Sequence, residues 1–84
     1  MVLQVFVAKQ CWGCQRARAI AAQVRKDCPE LTVKVIDVGD KGVEKPPEVF
    51  ATPTFILNGK VVSLGNPKLE TLRKLIEAEE RPRL

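Results

Sequence analysis

The feature that most constrains this chain is its first run, Val2 to Val7. It is apolar, largely β-branched and aromatic, and broken only by Gln4. Such a run suits a central strand covered on both faces. Trp12 to Asp27 follows, free of proline and rich in Ala, Gln and Arg, which are mostly good helix formers. Ala17, Ile20, Ala21, Val24 and Cys28 recur there at i, i+3, i+4, i+7 and i+11 and draw one buried stripe. Pro29 stops the helix. Leu31 to Val38 then alternates, with Val33 and Val35 on one face and Lys34 and Ile36 on the other. Strand, helix and strand in this order predict a right-handed βαβ unit with parallel strands.

Gly39 to Phe50 holds two Gly and two Pro and reads as a connection, with a helical turn expected at Pro47 to Phe50. Thr54 to Leu57, Asn58-Gly59 and Lys60 to Leu64 spell a hairpin, because Asn-Gly supplies the two positive-φ residues of a type I′ turn. Asn66-Pro67 reads as a helix start, with Asn as N-cap and Pro in the first helical position. Leu69, Leu72, Leu75 and Ile76 give that helix its apolar side. Glu70 with Lys74, and Glu77 with Arg81, stand at i,i+4 in the favourable order. The tail from Glu79 to Leu84 is expected to fray. The element order is β-α-β-β-β-α, an α/β domain over residues 1–84 with a four-stranded mixed sheet and helices packed on it.

A chain of 84 residues buries only about 60–65% of the surface its unfolded form exposes, so one modest core is all it can build. Fourteen Lys and Arg against ten Asp and Glu give a net charge of +4, spread without blocks, which argues against nucleic acid as a partner. The absence of His removes the usual general base, and the lone Ser63 therefore cannot belong to a serine triad. The apolar amino terminus is too short for a secretory signal core or a membrane span, which leads to the expectation of a cytoplasmic protein. Three cysteines make no disulfide framework, and a lone Cys-x-x-Cys without a signal reads as redox or metal chemistry.

That pair, Cys11-Trp12-Gly13-Cys14, falls directly after the first strand and opens the first helix. Helix N-termini carry unsatisfied N–H groups and partial positive charge, which favour a thiolate. Cys11 is expected at the cap, within reach of a partner, and Cys14 three residues before Ala17, pointing inward beneath it. This is an exposed nucleophile with a shielded resolving thiol. Two cysteines are also half of a zinc site, but Cys28 lies roughly 21 Å further along the helix and cannot complete it. A soft-metal carrier for copper, with the same two thiolates, remains open, as does a redox switch without turnover. Cys28 reads as a small core residue at the helix end. Trp12 reads as a flat apolar contact surface beside the sulfurs. Lys9, Arg16 and Arg18 are near enough in sequence to add positive potential.

The second constellation is Ala51-Thr52-Pro53-Thr54, a proline at the start of a strand. A strand start, an edge or a cis bond each accounts for it. Cys-x-x-Cys between a first strand and first helix, followed about forty residues on by Thr-Pro before a hairpin, resembles the thioredoxin and glutaredoxin superfamily from Val2 to about Glu79. The resemblance implies a minimal thioredoxin-like fold and a dithiol–disulfide oxidoreductase that reduces protein disulfides. It makes Cys11 the nucleophile, Cys14 the resolving thiol, Pro53 a cis-proline and Thr52 the residue whose backbone pairs with substrate. Trp12 and Gly13 join Thr52 and Pro53 as substrate-contacting residues. It implies no metal and no cofactor beyond the Cys11–Cys14 disulfide, and a monomer recycled by a separate reductase. The chain departs from the family in four places. Gln10 stands where thioredoxins have Trp before the first cysteine, Trp-Gly lies between the cysteines, Val5 stands near where thioredoxins have a buried acid, and Leu64-Gly65-Asn66-Pro67 stands where glutaredoxins have the Gly-Gly-x-Asp that binds glutathione.

Overall fold

The computed structural model describes residues 1–81. Strand β1 (Val2–Val7) runs inside the sheet, flanked by β2 (Thr32–Asp37) and β3 (Thr54–Leu57), with β4 (Lys60–Leu64) outside β3. Helix α1 (Cys14–Asp27) links β1 to β2, and α2 (Leu69–Glu80) closes the chain. β1 and β2 are parallel, in a register that sets Val2 beside Thr32 and Val7 beside Asp37. β3 returns antiparallel to β1, and β4 antiparallel to β3. The mixed sheet and the element order are those that the sequence periodicities predict.

The two faces of the sheet are covered differently. Leu3, Val5 and Val7 of β1, with Phe55 and Leu57 of β3, meet Ala17, Ile20, Ala21 and Val24 of α1 and Leu72 and Ile76 of α2 in one core. Both helices therefore lie on the same face. Each fully buried Leu, Ile or Phe here contributes about 1.5–3 kcal/mol relative to exposure. On the opposite face Phe6 and Ile56 are covered by a single buried side chain of the connection, Val49, with Ile36 and Val38 packed at the margin. The both-sided cover expected of β1 is thus half helical and half loop. The connection holds a hydrogen-bonded turn, Val49 N–H to Pro46 O at 3.0 Å, in place of the expected helical turn.

The hairpin turn has the expected form, with Asn58 at φ 50° and Gly59 at φ 82°. Asn58 also ties the turn to β1, its Oδ1 accepting the Val2 N–H at 2.9 Å. The β3–β4 register shifts between Phe55 and Ile56, a bulge that leaves Val62 outside the regular pairing. At the chain's end the expectations need correction. Helix α2 starts at Leu69 with Lys68 as its N-cap, so Asn66 is not the cap and Pro67 is not its first residue. The helix runs through Glu80, so Glu79 and Glu80 are helical, and the rest of the expected frayed tail beyond Arg81 lies outside the described residues. Glu70 and Lys74 pair at 3.6 Å. Arg81 lies past the last turn at ψ 133°, which removes the helical geometry expected for Glu77 with Arg81.

Candidate active site

The redox pair sits where β1 hands over to α1. Cys11 and Cys14 are joined in a disulfide with a Cα–Cα distance of 5.3 Å. Cys14 is 3% exposed and belongs to the helix-side core. Cys11 is only partly buried, and Trp12 between them is 97% exposed. The asymmetry expected from the helical stripe is present, with one sulfur at the surface and one beneath it. The helix start differs in detail. Cys14 is the first helical residue and Gly13 the N-cap, so Cys11 lies two residues outside the cap. A turn closed by the Cys14 N–H on Cys11 O at 3.3 Å brings the two together.

Gly13 makes that turn possible. Its φ of 89° is left-handed, a conformation that costs an L-residue about 1–2 kcal/mol. Its carbonyl accepts two hydrogen bonds, from the Ala17 N–H at 2.9 Å and from Asn66 Nδ2 at 3.0 Å. Asn66 makes this contact across 53 positions, whereas the N-cap of α2 is Lys68. No side chain caps α1, and no acid stands in its first turn, so its positive end is unopposed beside the pair.

A cleft of about 380 Å³ opens beside the disulfide, lined by Ala8, Lys9, Cys11, Cys14, Gln15 and Arg18. Two of the three cations singled out in the sequence, Lys9 and Arg18, thus share a wall with the sulfurs, and Arg16 does not. Arg18 is partly neutralised by Asp37 at 3.8 Å. Val5 is fully buried, so an apolar side chain occupies that point of β1.

The Thr52–Pro53 peptide bond is cis. The loop is closed by the Thr54 hydroxyl donating to Ala51 O at 2.6 Å, which satisfies the buried polar side chain of Thr54. The Gly65 N–H donates to Pro53 O at 2.8 Å. Gly65 and Asn66 therefore bind the Thr52-Pro53 loop and the Cys11–Cys14 turn to one segment. In the sequence Leu64-Gly65-Asn66-Pro67 stands out only as a departure from the glutaredoxin Gly-Gly-x-Asp stretch and as a helix start, with no sign that it joins the two constellations. Phe50, 73% exposed, lies with Ala51 and Thr52 along a second, smaller cleft.

Residues 1–77 match the family model described as Thioredoxin domain. The chain belongs to the thioredoxin domain family. Among solved structures it is similar to the oxidised thioredoxin from Plasmodium falciparum, at 25% identity and a TM-score of 0.68, over 95% of this chain and 81% of that one. No curated protein matches the sequence. A thioredoxin-like domain with a disulfide-bonded Cys-x-x-Cys suggests oxidoreductase chemistry at that pair. Among the described residues no group of three or more His, Cys, Asp or Glu is placed to hold a metal ion, and no helix is long and apolar enough to cross a membrane.

Proposed function

We propose that this thioredoxin domain is a cytoplasmic dithiol–disulfide oxidoreductase that reduces disulfides in other proteins. The observation that carries the reading is the burial asymmetry of the pair, Cys14 enclosed at 3% exposure and Cys11 partly exposed outside the helix cap. In the reduced protein the Cys11 thiolate attacks one sulfur of the substrate disulfide. A mixed disulfide forms, and the other substrate sulfur leaves as a thiolate that takes up a proton. Cys14 then loses its proton and attacks Cys11 Sγ. The Cys11–Cys14 bond forms, the bond to substrate breaks, and the second substrate sulfur leaves with the electron pair. Two electrons pass to the substrate, and its two thiolates are protonated by the proton that Cys14 gives up and by one from solvent. The buried position of Cys14 keeps it from competing for the first attack.

Thr52 and Pro53 supply backbone for an extended substrate segment, and Trp12 with Gly13 supplies the contact surface beside the sulfurs. The disulfide is its own redox group, so neither metal nor organic cofactor takes part. The domain acts as a monomer and is returned to the dithiol by a separate reductase.

The test is a pair of serine variants assayed with a generic protein disulfide. Cys11→Ser abolishes reduction, whereas Cys14→Ser performs the first attack and accumulates a mixed disulfide visible on a non-reducing gel. Retained activity in Cys11→Ser overturns the assignment of the nucleophile. A redox titration read by Trp12, the only tryptophan, gives the direction of electron flow. A two-electron transition below roughly −220 mV fits a reductase in a reducing compartment, and one near −120 to −180 mV contradicts it.

A further inference from the structure

The segment between β4 and α2 touches both halves of the site. Gly65 donates its N–H to Pro53 O at 2.8 Å, and the Ser63 hydroxyl donates to Gly65 O at 2.8 Å. These bonds fix the segment to the sheet. From this fixed base the Asn66 side chain reaches to Gly13 O at 3.0 Å. Among the described residues the only other donor to that carbonyl, the Ala17 N–H, belongs to α1 itself. The Cys11–Cys14 turn is therefore gripped from two sides, by its own helix and by a side chain anchored elsewhere. The grip depends on Gly13, because a Cβ there would lie 3.1 Å from Asn66 Nδ2.

We infer that Asn66 is a positioning residue for the redox pair, holding Gly13 so that reduced Cys11 stays within reach of Cys14. The inference rests on the redox reading above and assigns a residue to its second step. When the disulfide opens, Cys14 remains in the helix, whereas Cys11 lies outside it on a short stretch that gains freedom. A hydrogen bond on Gly13 O restricts that freedom and raises the effective concentration of one sulfur at the other. It favours ring closure, both when the dithiol is oxidised and when Cys14 displaces substrate from Cys11. It does not assist the first attack, which involves Cys11 and substrate alone. Asn66 is exposed and lies outside both helices and the sheet, so its replacement leaves the fold intact.

The experiment compares the full chain with Asn66→Ala and with Asn66→Leu, which keeps similar bulk but has no donor. Each protein is equilibrated in glutathione redox buffers at pH 7, and the disulfide fraction is read by thiol alkylation. Release of a preformed mixed disulfide is timed separately from its formation. Loss of one hydrogen bond lowers the disulfide-to-dithiol equilibrium constant about two- to tenfold. At 29.6 mV per tenfold this makes the potential less negative by about 9–30 mV. Release slows by a similar factor while formation keeps its rate. A role confined to fold stability lowers the melting temperature and moves neither quantity, and that result overturns the proposal. Equal slowing of formation and release overturns it as well. A wild-type protein without a two-electron couple overturns both this proposal and the redox reading, whereas an unmoved couple in the variants overturns this one alone.

Discussion

Truncation of Val49 tests how the thinner side of the sheet supports the loop that carries Thr52 and Pro53. Val49 is 1% exposed and is the one connection residue fully buried against Phe6 and Ile56. Val49→Ala removes two methyl groups, a transfer loss of about 1.6 kcal/mol at about 0.8 kcal/mol per CH₂. Incomplete collapse of the resulting cavity raises this to about 2–2.5 kcal/mol. At roughly 2.1 cal/mol/K per residue, 84 residues give an unfolding entropy of about 0.18 kcal/mol/K. The expected fall in Tm is therefore about 11–14 °C by far-UV circular dichroism. Val61→Ala, at a position 39% exposed on the outer strand, serves as control and shifts Tm by less than about 3 °C. Because Val49 precedes Phe50, Ala51 and Thr52, kcat/KM for a protein disulfide falls as well. The reduction potential keeps its value, since Cys14 is packed on the other face. A Val49→Ala shift no larger than that of Val61→Ala refutes the claim that this residue seals the second face.

Cys28, the free cysteine, packs partly buried against the helix-side core, and burial pushes its thiol above the usual value, with the Glu80 and Asp27 carboxylates adding to the effect. It should react with iodoacetamide more slowly than glutathione at pH 8.5 by mass spectrometry, and Cys28→Ala should leave the redox couple unmoved. A rate equal to that of glutathione refutes the burial argument, and a shifted couple refutes the exclusion of Cys28 from the site. Asp27 is held below its usual 3.8 first by the Arg73 hydrogen bond and then by the Gln23 amide. A depressed carboxylate contributes stability above its unfolded pKa and loses it as pH falls through the lower folded value. The stability difference between wild type and Asp27→Asn should thus be constant from pH 7 to about 5 and shrink below about 3.8. A difference that persists unchanged to pH 3 refutes the pairing.

Much of this architecture is readable in the chain because its signals are local. The apolar run of β1, the α1 stripe through Ala17 and Val24, and the Asn58-Gly59 turn each state their conformation within a few residues. The same holds for the Cys14 side chain, whose burial follows from its spacing to Ala17. What the sequence does not disclose is tertiary. Asn66 obeys the local rule for a helix cap, yet α2 starts two residues later and the Asn66 amide instead meets a carbonyl brought from 53 positions away. Gly13 likewise stands inside a segment of good helix formers, and only the closure of the Cys11–Cys14 turn puts it in a left-handed conformation ahead of the helix. Val49 lies in a Gly- and Pro-containing connection with no periodicity, so nothing marks it as the cover of a sheet face. The local residues leave the Thr52–Pro53 isomer open, since a strand start, an edge or a cis bond each accounts for the proline, and only the resemblance to the family implies the cis bond that is found.

The bulge at Val62 has a consequence for the outer margin of the sheet. β4 is an edge, and an unbroken edge offers a row of free N–H and C=O groups on which a strand of another chain can grow. Here the row is five residues long, begins with Lys60 and is interrupted where the β3–β4 register slips. A bulge adds local twist and puts the remaining groups out of step with a straight incoming strand. At the opposite margin the Arg25 guanidinium already takes Val33 O at 2.7 Å, which removes one acceptor from the β2 edge. Both borders of this small sheet are thereby blunted against intermolecular strand addition, even though Val61 and Leu64 are left exposed on one of them.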